Sequence, residues 1–200
     1  MGVRSIGVNT STENLRASLK GATASIHDLL DSSMRAASGW SSQQDYARFL
    51  TLQYSARRPV ERWLAETAPK DLLPPAQCPL IEQDLASIDQ AAPSALLEFR
   101  IPSSTFKESH ALGAAWVLAG SSLGNLSILK ELRRAGHADW PCAFLGNQEM
   151  LAFWQNLRRR IERPAGIDGV EAASAAATAV FDHFLRLAQP HSNVQSELAQ

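Results

Sequence analysis

Apolar residues return along this chain every three or four positions, segment after segment, and no run alternates apolar with polar side chains. A period near 3.6 gathers apolar groups on one face of a helix, whereas a half-buried strand needs a period of two. Leu15, Leu19, Ala22, Ile26 and Leu29 form the first such stripe. Thr10 with Glu13 has capping-box spacing to start that helix, and Gly39 punctuates its end. Ser41 with Gln44 opens a second helix to about Thr67, with Tyr46, Phe49, Leu50, Tyr54, Val60 and Leu64 as its core side. Pro59 lies inside it and predicts a kink, because proline removes a backbone donor.

Pro69, Pro74, Pro75 and Pro79 mark a loop, and a short helix follows through Leu80, Leu85 and Ile88. Thr105 with Glu108 caps a long helix to Arg134, which Gly136 stops. The segment 137–146 reads as a loop with Trp140, Pro141 and Phe144. A fifth helix spans roughly 147–163, and Asp168 with Glu171 caps a sixth to near Gln189. Small residues in 172–179 favour helix and permit close packing. The fold class is therefore all-α: a single-domain bundle of about six helices over 12–189, with 1–11 a disordered lead and 190–200 a tail.

At 200 residues, with 45% hydrophobic side chains, the chain can fill one core. A net charge of −1 argues against a general nucleic-acid binder. No apolar run looks long enough to cross a bilayer, and Met1–Ser11 lacks the form of a secretory signal. Cys78 and Cys142 do not make a disulfide framework, so a cytoplasmic location is expected. Cys78-Pro79 reads as a free cysteine in a loop.

Two local features carry chemistry. Gly113, Gly120 and Gly124 fall seven and four apart, on one side of the long helix. An interior glycine costs ~1 kcal/mol relative to alanine, so three on one side need a reason. Close contact with another helix is one, and a flat ligand lying against the backbone is the other. In the first helix, Lys20, Thr23 and His27 share a side. Histidine there is either a packed side chain or a metal ligand. No Glu-x-x-His pair occurs, which argues against a di-iron carboxylate bundle. His137, His183 and His191 lack ligand spacing.

Leu19-Lys20-Gly21-Ala22-Thr23-Ala24-Ser25-Ile26-His27 resembles the proximal-helix signature of the biliverdin-producing heme oxygenases, Leu-Lys-x-Ala-Thr-x-x-x-His. Residues 111–124, ending in Gly-Ser-Ser-Leu-Gly, are similar to the distal helix of bacterial members, including those associated with bacteriophytochromes. Tyr46, Phe49, Leu50, Tyr54, Pro59 and Glu61 resemble the family's second helix, and Phe153 to Arg160 a later one. The resemblance implies heme sandwiched between a proximal and a distal helix. It makes His27 the iron ligand and lets Gly120 and Gly124 lie over the porphyrin. Lys20 and Arg158 would meet the propionates, with Thr23 and Trp116 also at the heme. Ser121 and Asn125, with Ser122, would order distal water. It also implies O2, an electron donor such as ferredoxin or a flavin reductase, and a biliverdin acceptor such as a bacteriophytochrome as partners. Arg158-Arg159-Arg160 would attract an acidic donor.

The chain departs from that pattern at several positions. Mammalian-type members carry an acidic residue where Ser121 stands. Bacterial members have Tyr at Trp116, Glu at Ala119 and often Gly at Asn125. Some relatives place a second propionate-binding cation at Trp154. Two other readings compete with an active oxygenase: a non-catalytic heme carrier or sensor, and a helical interaction module whose glycines only pack helices.

Overall fold

The computed structural model describes residues 13–37, 39–101, 107–162 and 164–189. Among them run six α-helices: α1 (Leu15–Ala37), α2 (Gln43–Thr67), α3 (Cys78–Ala86), α4 (Glu108–Arg134), α5 (Gln148–Ile161) and α6 (Ile167–Ala188). A 3-10 turn covers Lys70–Leu72. The only strand pairing among the described residues joins β1 (Glu13–Asn14) to β2 (Pro164–Ala165), antiparallel. It fastens the start of α1 to the segment before α6. The fold is all-α, as the apolar period requires. The lead 1–11 and the tail 190–200 lie outside the described residues, as do Thr10, Thr105 and His191.

The helix ends differ in detail from the sequence reading. Asn14 caps α1, its side chain accepting the Ala17 amide at 3.4 Å. The capping box of α2 is Ser42 with Asp45, one residue beyond the expected Ser41 and Gln44. Aspartate accepts backbone donors better than glutamine, which decides the register. Lys107, not Thr105, is the N-cap of α4, and His110 Nδ1 accepts its amide at 2.9 Å. Gly166 precedes α6 without a side-chain cap, so Asp168 sits inside the first turn, where its charge still suits the helix dipole. Gly136 has φ +89°, and the His137 amide bonds the Leu132 carbonyl, closing α4 as expected. α2 runs through Pro59 unbroken.

The core side of α2 holds: Tyr46, Phe49, Leu50, Tyr54, Val60 and Leu64 are all buried. The first stripe is rotated from the one expected. Leu15, Leu19 and Thr23 are buried on α1, while Ala22 is exposed and Leu29 is 50% exposed. Thr23 tolerates burial because its hydroxyl donates to the Leu19 carbonyl at 2.8 Å.

α6 is the central element. α1 and α4 each pack along it and scarcely touch one another, so the two are joined through α6. Ala173, Ala176 and Ala177 on α6 are fully buried and let α4 approach closely. α4 also corrects an expectation. It contains an 18-residue window apolar enough to span a bilayer by length and composition. Half of that window is buried here, as in a core helix.

Candidate functional site

His27 projects from α1 with its side chain 56% exposed. Its ring meets the buried Phe181 of α6 edge-on, 5.7 Å between centroids. One turn further along α1, Asp31 Oδ2 lies 3.4 Å from His27 Nδ1. A carboxylate at Nδ1 favours the tautomer with its proton there and leaves the Nε2 lone pair outward. Asp31 and Phe181 escaped the sequence reading, although the i, i+4 spacing of His27 and Asp31 is a visible signal.

On α4 the three glycines have three different environments. A Cβ on Gly113 would lie 2.0 Å from the Ala173 carbonyl oxygen, so this glycine exists for the α4–α6 contact. A Cβ on Gly120 would stand 3.5 Å from the Trp154 indole of α5, an ordinary contact. A Cβ on Gly124 would meet nothing within 4 Å. The stripe that looks uniform in sequence is thus a packing glycine, a glycine beneath a tryptophan, and an open one. Trp116 is partly buried at the edge of the core.

The polar residues near these glycines are largely engaged. Ser122 Oγ donates to the Ala119 carbonyl at 2.6 Å and is buried. Ser121 Oγ donates to the Leu118 carbonyl at 2.8 Å and accepts from Arg57 Nη2. Asn125 is buried at 8% exposure. Arg57 went unnoticed in the sequence. It falls three residues after Tyr54 and three before Val60, on the apolar stripe of α2, where a charged residue stands out.

A cationic corner forms where α1 begins and α5 ends. Glu162 accepts from Arg16 Nη1 at 3.2 Å and lies 3.7 Å from Arg158 Nη2. Lys20 is exposed, one turn beyond Arg16 on the same side of α1. Two cations, Arg16 and Arg158, therefore share one carboxylate, and Arg16 and Glu162 are additions to the sequence reading. Arg158-Arg159-Arg160 is not an uncompensated basic row: Arg158 faces Glu162, and Arg160 pairs with Asp71 and Glu108. The expected attraction of an acidic donor by that row loses most of its charge.

Cys78 lies at the start of α3 and is buried, not in a loop. Burial and the neighbouring Glu61 push its thiol well above the ordinary range. Such a thiol is a poor nucleophile. The Glu61 carboxylate accepts the Gln77 and Cys78 amides at 2.9 and 3.3 Å, closing the N-terminus of α3. Among the described residues no cluster of three or more His, Cys, Asp or Glu side chains is arranged to hold a metal ion. Two cavities, of about 930 and 440 Å³, lie elsewhere: one where α1 and α6 end and α2 begins, the other beside Glu61 and Phe153.

No family model and no curated sequence matches the chain. A solved structure does: the NO- and CO-bound heme oxygenase from Neisseria meningitidis superposes with a TM-score of 0.68. It is 18% identical, and the match covers 92% of this chain and 96% of that one. The likeness is one of fold along nearly the whole length of both chains.

Proposed function

We propose that this chain is a heme oxygenase, cleaving heme with O2 and electrons to biliverdin, carbon monoxide and ferrous iron. The observation that carries the reading is the fold shared with a heme oxygenase along nearly the whole chain, with His27 beside Asp31 on α1 and an open glycine, Gly124, on α4. Both helices pack against α6. A porphyrin brings four nitrogen ligands of its own, so one histidine completes the protein's share.

The residues fit such a group. His27 offers an exposed imidazole whose far nitrogen already faces a carboxylate. Gly124 offers peptide backbone at which a flat ring meets no Cβ. Lys20, Arg16 and Arg158 offer positive charge at one corner, where two carboxylates of a dianionic plate would be read; Arg158 grips best through its planar fork. Heme is both the substrate and the group that activates oxygen when reduced.

The work left to the chain is orientation and exclusion. His27 would hold the iron, and the Asp31 carboxylate would strengthen the imidazole as a donor. Gly124 would let α4 come close to one face of the ring, while Gly120 lies under the Trp154 indole. Thr23 and Trp116 would flank the plate, with the Thr23 hydroxyl already engaged by the Leu19 carbonyl. Ser121 and Asn125 hold polar atoms near the open face without a carboxylic acid, so no strong acid is delivered there. An electron donor such as ferredoxin or a flavin reductase supplies the reducing equivalents, and a phytochrome is one acceptor for the biliverdin. A cytoplasmic location belongs to the same reading.

The test is to add hemin to the purified chain, titrate the Soret band, supply a reducing system under air, and identify the bilin by chromatography. Biliverdin is the expected product. Hemin bound without bilin leaves a heme carrier or sensor, and no hemin binding leaves a helical module whose glycines only pack.

A further inference from the structure

Glu162 is the residue after α5, and one of its oxygens faces two arginines from two helices. Oε1 accepts from Arg16 Nη1 at 3.2 Å and stands 3.7 Å from Arg158 Nη2. The β1–β2 pairing fastens the corner, because Asn14 opposite Pro164 lies two residues from both Arg16 and Glu162. The helix itself does not call for this carboxylate. It sits at the C-terminal end of α5, where the helix dipole favours a cation and disfavours an anion.

Every group in the corner is reachable from solvent. The side chains are 52% exposed at Arg16 and 46% exposed at both Arg158 and Glu162. Pairs so exposed contribute little stability, since water screens them and long side chains must be held in one geometry. They do decide what the arginines hold before a ligand arrives, which is an anion belonging to the chain. Arg16 also shares the His27 side of α1. The eleven steps between them make about three full turns, which leaves the two within ~20° of one another around the axis.

We infer that Glu162 is a resident competitor for the ligand's carboxylates: a carboxylate of the bound plate displaces it from Arg16 and Arg158, so Glu162 holds the affinity for such ligands below what the two arginines alone would give. The inference rests on the heme-binding reading and adds an internal brake to it. A plate without carboxylates neither displaces Glu162 nor gains from the arginines, so its binding is indifferent to the residue. A plate with carboxylates must break two weak pairs and overcome the repulsion of a third carboxylate.

The experiment compares wild type with Glu162→Gln, alone and in an Arg158→Gln background. Glutamine keeps the size of the side chain and removes its charge. Hemin and hemin dimethyl ester, which has the same ring and iron without free carboxylates, are titrated at the Soret band at low salt. Glu162→Gln is expected to bind hemin about threefold to tenfold more tightly, and the ester within about twofold of wild type. Added salt should shrink the gain, because the groups are exposed. In the Arg158→Gln background the gain should shrink as well, since one of the two freed cations is missing. The ligand-free variant should melt within about 4 °C of wild type.

Unchanged or weaker hemin binding by Glu162→Gln overturns the inference. So does an equal gain for hemin and its ester, which would trace to the shape of the pocket. A gain that survives Arg158→Gln in full overturns it too. A Glu162→Gln protein that melts far lower or fails to fold shows that the carboxylate serves the fold, and the inference falls. If wild type binds neither ligand, the heme-binding reading itself fails, an outcome distinct from these.

Discussion

Gly113, Gly120 and Gly124 sit on one side of α4, yet alanine is expected to act with opposite signs along that row. At Gly113 the new Cβ would stand 2.0 Å from the Ala173 carbonyl oxygen, 2.8 Å from its carbonyl carbon and 3.0 Å from its Cα. Backbone atoms cannot rotate away, so α4 and α6 must part by roughly 1 Å or more to recover van der Waals spacing. Overpacking of this kind costs about 1–3 kcal/mol, and a clash with backbone belongs at the upper end. Helix propensity returns only ~1 kcal/mol. The net loss of about 2 kcal/mol lowers the melting temperature by roughly 4–8 °C for a chain of this size. At Gly124 the Cβ meets nothing within 4 Å. The ligand-free protein should gain up to ~1 kcal/mol and melt about 2–4 °C higher. Hemin reverses that sign. A ring resting on the backbone has no room for a methyl group, so Gly124→Ala should lose about tenfold or more in hemin affinity, or ~1.4 kcal/mol. Gly120→Ala, 3.5 Å from the Trp154 indole, should leave the ligand-free protein close to wild type. Circular dichroism melts and Soret titrations of the three variants read both quantities. If Gly124→Ala binds hemin and makes bilin like wild type, the close-approach role is wrong. If Gly113→Ala melts no lower, the packing account of the first glycine is wrong.

Three further outcomes are expected. His27→Ala should lose the histidine–iron signature of the hemin complex and regain part of it with added imidazole; an unchanged spectrum and turnover would remove His27 from the iron. Lys20→Ala and Arg158→Ala should give a more mixed set of biliverdin isomers with modest loss of hemin affinity, since fixed cations choose between in-plane orientations of a near-symmetric plate. An identical isomer ratio in both singles and in the double variant refutes that clamp. His183 is wholly buried, and burial, assisted by the charge of Arg186 and opposed by a backbone hydrogen bond at Ala56, lowers its pKa to about 4. The folded protein therefore resists a proton that the unfolded chain accepts. The stability present above pH ~6.5 falls as pH drops toward 4, by about 3 kcal/mol in all. Urea midpoints at pH 7 and pH 4.5 measure it, and a His183→Leu variant with the same pH slope would refute the assignment.

The apolar period along the chain was enough to determine an all-helical bundle, because only a helix turns steps of three and four into one buried face. The core side of α2 and the stop at Gly136 were legible for the same local reason. The placing of Lys20, Thr23 and His27 along a single helix was legible as well, since i, i+4 and i, i+7 neighbours are set by one helix alone. What a single helix cannot state is which of its sides another element covers. The α1 stripe therefore came out rotated, with Thr23 inside and Leu29 outside, because α6 sets which face is buried. The glycine row separated into three roles only when Ala173 and Trp154 arrived from α6 and α5. Two of the three arginines in the basic row on α5 are compensated by Asp71, Glu108 and Glu162, and these come from a 3-10 turn, the start of α4 and the residue after α5. Arg57 finds its partner Ser121 64 positions away. Periodicity is a property of one segment, so sequence determines the segments; charge compensation and close approach are properties of pairs, and only the tertiary structure chooses the pairs.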